Sequence, residues 1–163
     1  MAIKPLHGIR VLDLTNVLAG PFACHQLAHM GADVIKVEAC QGGDLARQLG
    51  ADPALNQVHM GVSFLAQNPG KRSITLNLKH PQGKEALQRL VRTADVLVEN
   101  YRPGVMQRLE LGYEDLLKEN PKLIYCAISG FGQDGPLRDL PAYDQIIQGM
   151  SGMMSITGAP ENA

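Results

Sequence analysis

The sequence predicts an α/β fold, an open and mostly parallel β-sheet with helices on both faces. Four short runs rich in Val, Ile and Leu are typical of buried parallel strands. They are IRVLDL (9–14), DVIKVE (33–38), DVLVE (95–99) and LIYCAIS (123–129). Segments with helix signals separate these runs. Regular alternation of strand and helix indicates a parallel sheet covered by helices.

The first helix is predicted between the first two strands. Pro21 suits the first helical position, and Gly31 suits a left-handed stop. Ala23, Leu27 and Met30 share one side and form the predicted apolar face.

Three more helices follow. HPQGKEALQRLVR (80–92) begins at Pro81, and its apolar stripe consists of Ala86, Leu87, Leu90 and Val91. RPGVMQRL (102–109) and YEDLLKEN (113–120) each predict a short helix.

Three segments interrupt this order. Residues 39–72 show no sustained periodicity, which is typical of a functional loop region. SITLNL (73–78) alternates apolar and polar residues and predicts a short strand with one exposed face. A glycine-rich connection (129–144) follows the fourth run, and the loop-like residues 149–163 suggest a truncated chain.

Composition narrows the possible functions. The 163 residues suffice for one domain, and a net charge of -1 argues against non-specific nucleic-acid binding. No apolar run reaches membrane-spanning length and no signal peptide is visible, so no membrane partner is expected. Three cysteines without CxxC spacing indicate a reduced, cytoplasmic setting.

An NAD-dependent oxidoreductase is one alternative function. Glu38 ends the second strand, where a carboxylate would hold a ribose. The turn NVLAG (16–20) lacks the glycines that let a pyrophosphate approach the backbone, so no NAD is expected.

No metal site is expected either. His25 and His29 lie one helical turn apart without a third ligand, and packing or solvated histidines explain them better. Cys126 is predicted to be buried, and Cys40 lacks a nearby activating histidine. Asp13 is predicted to be buried and hydrogen-bonded, without a catalytic role.

Five basic residues lie where strands end or helices begin, the region in which open parallel sheets bind ligands. They are Lys71, Arg72, Lys79, Arg102 and Arg108. Such residues suit phosphate groups, although scattered solvated charges would give the same pattern. Asp144 precedes an apolar segment, so it is either a capping or first-turn residue of a helix or a carboxylate that lines a pocket.

Several motifs together resemble the class III coenzyme A transferases, a family that includes formyl-CoA and carnitine-CoA transferases and α-methylacyl-CoA racemases. The motifs cover nearly the whole chain in order. They are GIRVLDLTNVLAGP, GADVIKVE, GGDLAR, NPGKRSITLNLK, ADVLVENYRPGVMQRLELGY, LIYCAISGFGQDGP and YDQIIQGMSGMMSITG.

The resemblance implies a Rossmann-like fold that binds CoA as substrate. Residues 1–163 would be the N-terminal part of the large CoA-binding domain, with the small domain and a C-terminal return segment outside the chain. The implied CoA contacts are Leu18, Ala19, Leu76, Asn77, Leu78, Lys79, Asn100, Tyr101, Arg102, Arg108, Leu140, Pro141, Ala142 and Tyr143. Asn16, Leu18, Tyr143 and Asp144 would line the active site, with Lys71 and Arg72 as further phosphate contacts.

The resemblance also implies a reaction. An aspartate attacks the acyl-CoA thioester, and CoA passes to a carboxylic acid through an anhydride. That aspartate is expected beyond Ala163, so the chain alone would be inactive. The racemase alternative requires a histidine before Asp144, where this chain has Tyr143. The intact family member would be an interlocked homodimer, and a non-catalytic module that binds CoA or a partner protein is the remaining alternative.

Overall fold

A computed structural model describes residues 4–158 of the chain. They divide into two compact units, at Ile128 and Ser129. The last residues of the predicted C-terminal loop, 159–163, lie outside the described part. The membership of residues 1–163 in one larger domain stays a prediction.

The first unit contains one sheet of five parallel strands in the order β3-β2-β1-β4-β5. The strands are β1 (Arg10–Asp13), β2 (Asp33–Glu38), β3 (Arg72–Thr75), β4 (Val96–Glu99) and β5 (Ile124–Ala127). This sheet confirms the predicted α/β class, and every pairing in it is parallel.

Six helices lie within the described part of the first unit, residues 4–128. They are α1 (Ala19–His29), α2 (Pro53–Gln57), α3 (Val62–Gln67), α4 (Pro81–Val91), α5 (Val105–Arg108) and α6 (Tyr113–Glu119). The segment 39–72 therefore contains α2, α3 and a 3₁₀ turn, Leu45–Gln48. The second unit contains α7 (Asp144–Met150) and a 3₁₀ turn, Met153–Ile156, inside the predicted loop. None of the helices between residues 4 and 158 is long and apolar enough to cross a bilayer.

The sheet has an apolar core on each face because successive strand residues point to opposite sides. Val11 and Val34 pack with Cys24 of α1 on one face. Leu12 and Leu97 pack with side chains of α4 and α6 on the other. Helices therefore cover both faces, as the sequence predicts.

The predicted apolar face of α1 is correct only at Leu27, which packs on the core beside Val11 and Val34. The helix begins at Ala19, which makes Pro21 the third helical residue, and Ala23 and Met30 are exposed. The side that packs on the sheet instead contains Gly20, Pro21, Cys24 and His25. Gly20 allows this side of the helix to approach the end of β1 closely, because an added Cβ would lie only 2.3 Å from the Cβ of Thr15.

Two strand predictions also need correction. Cys126 is exposed, because β5 lies at the sheet edge and α1 packs on β1, β2 and β4. The strand predicted at 73–78 is Arg72–Thr75. Leu76 and Leu78 follow it and pack on the core instead.

Candidate functional site

The loops after β1 and β4 meet at the carboxyl end of the sheet. The chain runs outward from β1 to β2 and β3, then returns to β4 on the opposite side of β1. The carboxyl ends of β1 and β4 therefore form the crevice in which open α/β sheets bind ligands. Of the predicted site residues, Asn16, Leu18 and Ala19 lie in the loop and helix start after β1. Asn100, Tyr101 and Arg102 directly follow β4.

A pair of asparagines joins the two loops. The main-chain N–H of Asn16 donates to Oδ1 of Asn100 at 2.8 Å. Nδ2 of Asn100 donates to the carbonyl oxygen of Asn16, also at 2.8 Å. Both polar groups of the Asn16 backbone are thus satisfied by one side chain, which fixes the β1 loop relative to the β4 loop.

The β1 loop presents apolar side chains and an uncapped helix start. Val17 has φ +70, an unusual value for a β-branched residue. Leu18 is 57% exposed. Among residues 4–158, no side chain caps α1, so its first N–H groups remain directed toward the loop.

The loop after β3 separates into core-facing and exposed residues. Leu76 and Leu78 are half-buried and pack on the core, so they can support a binding site but offer little surface to a ligand. Asn77 and Lys79 are exposed, and Oδ1 of Asn77 accepts the N–H of Lys79 at 3.1 Å. Two of the four predicted contacts in this loop therefore have accessible side chains.

Three predicted phosphate-binding cations are exposed. They are Lys79, Arg102 and Arg108. Within the part of the chain that the structure describes, none of the three forms an ion pair. An added Cβ on Gly104 would lie 3.0 Å from Nη1 of Arg108, so this guanidinium lies next to the β4 loop.

Lys71 does not belong to this group of exposed cations. Its side chain is 2% exposed. Nζ donates to Asp13 Oδ2 at 2.7 Å, to the Pro21 carbonyl oxygen at 2.9 Å and to Asn68 Oδ1 at 2.8 Å. These bonds use all three N–H groups, and burial lowers the pKa of Lys71. The same contacts confirm that Asp13 is buried and hydrogen-bonded.

Arg72 also lies away from the predicted site. It begins β3, at the amino end of the sheet, and its Nη2 lies 2.7 Å from Asp33 Oδ1. Asp33 pairs on its other side with Arg10 at 3.0 Å. The hydrogen bonds from Arg72 outweigh desolvation and lower the pKa of Asp33. Arg72 thus belongs to an ion cluster at the amino end of the sheet, whereas the crevice lies at the carboxyl end.

The Glu38 carboxylate is hydrogen-bonded by other groups of the protein. Its Oε1 accepts from Arg47 Nη2 at 2.7 Å and from Ser73 Oγ at 2.6 Å. Its Oε2 accepts from Arg47 Nε at 2.6 Å and from the Asp44 N–H at 2.9 Å. Burial would raise the pKa of Glu38, but these hydrogen bonds hold it at about 2. The carboxylate that suggested an NAD ribose site is therefore already satisfied by the protein.

Sequence reasoning missed one buried ion pair beside the site. Lys36 Nζ lies 2.8 Å from Asp44 Oδ2, with side-chain exposures of 1% and 0%. The signal was present in the sequence, because a lysine inside the apolar run DVIKVE needs a buried anionic partner.

The buried histidine and cysteine of α1 have structural surroundings. Within residues 4–158, no group of three or more His, Cys, Asp or Glu side chains could hold a metal ion. Nδ1 of His25 lies 3.1 Å from the Pro69 carbonyl oxygen, which explains its burial. Burial raises the pKa of Cys24 to about 12, so this thiol is inert.

The second unit contains the other predicted contacts. Leu140, Pro141 and Tyr143 are exposed, with Tyr143 at 68%. Asp144 lies in the first turn of α7, which confirms one of its two interpretations, and accepts a hydrogen bond from Gln148. Ala142 packs so closely on Gly130 that an added Cβ on the glycine would overlap it.

Comparisons with known proteins agree with the fold and the motifs. A family model described as CoA-transferase family III matches residues 6–163. A succinate–glutarate CoA-transferase of Agrobacterium fabrum is 52% identical over 160 residues, which cover 96% of this chain and 40% of that protein. An acetyl-CoA:oxalate CoA-transferase of Acetobacter aceti is 50% identical over 157 residues, covering 96% of this chain and 39% of that protein. The chain thus spans about 40% of the length of these relatives.

Solved structures show the same similarity. A CaiB/BaiF family protein from Brucella suis superposes with a TM-score of 0.89 at 43% identity, covering 98% of this chain and 42% of that one. Rv3272 from Mycobacterium tuberculosis superposes with a TM-score of 0.86 at 42% identity, covering 98% of this chain and 43% of that one. The chain belongs to CoA-transferase family III.

Proposed function

We propose that the protein containing this chain is a CoA transferase, which moves CoA between an acyl-CoA thioester and a carboxylic acid. The observation that carries the proposal is the contact between the β1 and β4 loops through Asn16 and Asn100. It lies at the carboxyl end of the sheet, where open α/β sheets bind ligands, in a chain of family III. The names of the relatives support small dicarboxylic acids, such as glutarate or oxalate, as acceptors.

The exposed side chains divide naturally among the parts of CoA. Lys79, Arg102 and Arg108 would bind the phosphates, and Leu18 would contact the apolar thioester arm. Ala19 and the start of α1 would complete the loop, and Asn77 would lie beside the adenine. Asn100 acts mainly through its hold on Asn16. Tyr101 is half-buried against the core, so it would form the floor of the site.

The chemistry requires a carboxylate that is not assigned within residues 1–163. An aspartate of the whole protein would attack the thioester carbonyl, which breaks the C–S bond and releases CoA thiolate with formation of a mixed anhydride. CoA thiolate would then attack the aspartyl carbonyl of the anhydride, which releases the donor carboxylate and leaves an aspartyl–CoA thioester. The acceptor carboxylate would attack this thioester to form a second anhydride and free the thiolate, and thiolate attack on the acceptor carbonyl would give the new acyl-CoA and restore the aspartate. In this scheme the chain retains the thiolate, and Leu18 helps to exclude water from the anhydride.

Asp144 is not the proposed nucleophile. Its carboxylate is exposed and accepts a hydrogen bond from Gln148 within the same helix. We assign it, with Leu140, Pro141, Ala142 and Tyr143, to the lining near the CoA sulfur. Tyr143, in place of a histidine, favours transfer over racemisation because a phenol is a weak base at neutral pH.

Calorimetric titration with CoA tests the binding half of the proposal. Lys79→Ala, Arg102→Ala and Arg108→Ala should each weaken binding, and added salt should reduce the differences between these variants and the wild type. Arg89→Ala is the matched control. Arg89 is also an exposed cation, but it lies near the end of α4, which leads back to the amino end of β4. Saturable NADH binding with no CoA binding would overturn the proposal.

Thioester exchange tests the catalytic half. The protein at its full natural length should convert succinyl-CoA and glutarate into glutaryl-CoA and succinate, measured by chromatography. Oxalate should be tested as a second acceptor. Exchange of the acyl α-proton with deuterium from solvent, without thioester exchange, would identify a racemase and contradict the proposal.

A further inference from the structure

The loop after β1 contains a conformation that a valine does not adopt readily. Val17 has φ +70, and its branched side chain crowds the main chain in this left-handed region. Such a residue keeps its conformation only when neighbouring groups enforce it. The relevant question is therefore which groups enforce it here.

The buried pair Lys36–Asp44 contacts the main chain on both sides of Asn16. Oδ1 of Asp44 accepts the N–H of Val17 at 3.0 Å. Nζ of Lys36 donates to the carbonyl oxygen of Thr15 at 2.8 Å. The ion pair between the two side chains joins these contacts at 2.8 Å. One polar unit thus determines where the chain leaves β1 and how it turns at Val17.

Asp44 is itself fixed by its surroundings. Its N–H donates to Glu38 at 2.9 Å, and its Oδ1 also accepts the N–H of Ala46 at 2.9 Å. Glu38 is in turn held by Arg47. The carboxylate of Asp44 therefore has little freedom to follow Val17 if the loop relaxes.

We propose that the Lys36–Asp44 pair is a positioning device, which holds Val17 in the left-handed conformation and so presents Asn16, Leu18 and Ala19 to CoA. This role rests on the proposed function, because it needs CoA as the ligand of the loop. Neither side chain touches CoA. Both are buried, and both act through the main chain of residues 15–17.

Two substitutions at Val17 test the conformational requirement without disturbing the core. Val17→Gly accepts a positive φ, whereas Val17→Pro fixes φ near -65° and removes the donated N–H. We expect Val17→Pro to weaken CoA binding at least tenfold, and at least fivefold more than Val17→Gly. Equal affinities of the proline variant and the wild type would overturn the proposal.

Two paired substitutions test the role of Asp44. Lys36→Met with Asp44→Asn removes both charges but keeps an oxygen that can accept the Val17 N–H. Lys36→Met with Asp44→Leu removes that oxygen as well. We expect less than threefold weaker CoA binding for the first pair and at least tenfold weaker binding for the second. Similar affinities of the two pairs would contradict the proposed role.

Asp52→Leu is the matched control. Asp52 caps α2 in the same segment through the N–H groups of Ala54 and Leu55, but it does not contact the β1 loop. Its substitution should change stability without changing CoA affinity, and circular dichroism checks the fold of every variant.

Amide hydrogen exchange at Val17 separates this proposal from the proposed function. In the wild-type protein, the Val17 N–H should exchange slowly, and protection should disappear in the Asp44→Leu pair but persist in the Asp44→Asn pair. Absence of CoA binding with a protected Val17 would reject the function alone. Rapid exchange at Val17 in the wild type would reject the positioning role, whatever the affinity for CoA.

Discussion

Asn100 satisfies both polar backbone groups of Asn16 through two hydrogen bonds of 2.8 Å. The two residues are 84 positions apart in sequence and follow β1 and β4, the strands between which the chain changes direction across the sheet. The geometry of the candidate site therefore depends on a contact that only the completed sheet can form.

Asn100→Ala should lower both stability and CoA affinity. The substitution leaves the N–H and C=O of Asn16 without their partner, at a cost of about 1–3 kcal/mol in the free energy of unfolding. Urea denaturation measures the loss of stability, and calorimetry measures the affinity.

Asn120→Ala is the control for this prediction. Nδ2 of Asn120 donates to the carbonyl oxygens of Val91 at 2.9 Å and Ala94 at 2.7 Å, and its Oδ1 accepts the N–H of Lys122 at 3.1 Å. The substitution therefore removes three hydrogen bonds, against two for Asn100. The loops that Asn120 joins lead into the amino ends of β4 and β5, away from the candidate site, so CoA affinity should not change. Equal losses of affinity in both variants would show that general stability, rather than the Asn16–Asn100 contact, controls binding.

Acid should remove the stabilisation that the Glu38–Arg47 pair provides. The pKa of Glu38 is about 2 in the folded chain and about 4.5 for an unperturbed glutamate. The stabilising contribution is therefore complete above about pH 4.5 and declines as pH falls toward 2, by on the order of 3 kcal/mol. Asp33 contributes in the same direction, because its pKa is also lowered.

Urea midpoints between pH 6 and pH 2.5 check this prediction. Glu38→Gln should have a flatter dependence of stability on pH than the wild type. Glu85→Gln, a substitution of an exposed carboxylate on α4, should retain the wild-type slope. A Glu38→Gln profile parallel to that of the wild type would contradict the assignment.

Thiol labelling should distinguish the three cysteines. Cys40 and Cys126 are exposed, whereas Cys24 is buried and its pKa is raised to about 12 by burial. At pH 8 a small disulfide reagent should modify two thiols of the folded chain, and the third only after denaturation. Cys126→Ser should reduce the number of rapidly modified thiols to one. Unchanged labelling of this variant would show that β5 is covered on that face.

Gly20→Ala should destabilise the chain, because the new Cβ would lie 2.3 Å from the Cβ of Thr15. We expect a loss of about 1–3 kcal/mol in the free energy of unfolding, as in other overpacked sites. Ala23→Ser, at an exposed position of the same helix, should change it by less than about 0.5 kcal/mol. Comparable losses in both variants would favour the packed face of α1 that the sequence predicts, which contains Ala23.

The sequence predicts those elements whose signals are local. The apolar runs identified four strands, and Pro81 marked the start of α4, where Leu87 and Val91 are buried as expected. The motif resemblance located the loops that follow β1, β3 and β4. These features depend on residue type and spacing over a few positions.

The failures share a different cause. Lys71 and Arg72 are neighbours in sequence. Lys71 contacts Asp13 in the interior, whereas Arg72 contacts Asp33 at the amino end of the sheet. Cys126 has the surroundings of an edge strand, and strand order does not follow from an apolar run. Each error concerns a partner that is distant along the chain.

The irregular segment between β2 and β3 supplies the counter-charge for a lysine of the central sheet, since Asp44 lies in this segment and Lys36 in β2. Engineering by loop grafting usually treats such excursions as replaceable. Here a shortened graft would leave an ammonium group enclosed among apolar side chains without an anion. A minimal scaffold derived from this chain must therefore either retain residues 43–47 or neutralise position 36 in the same step.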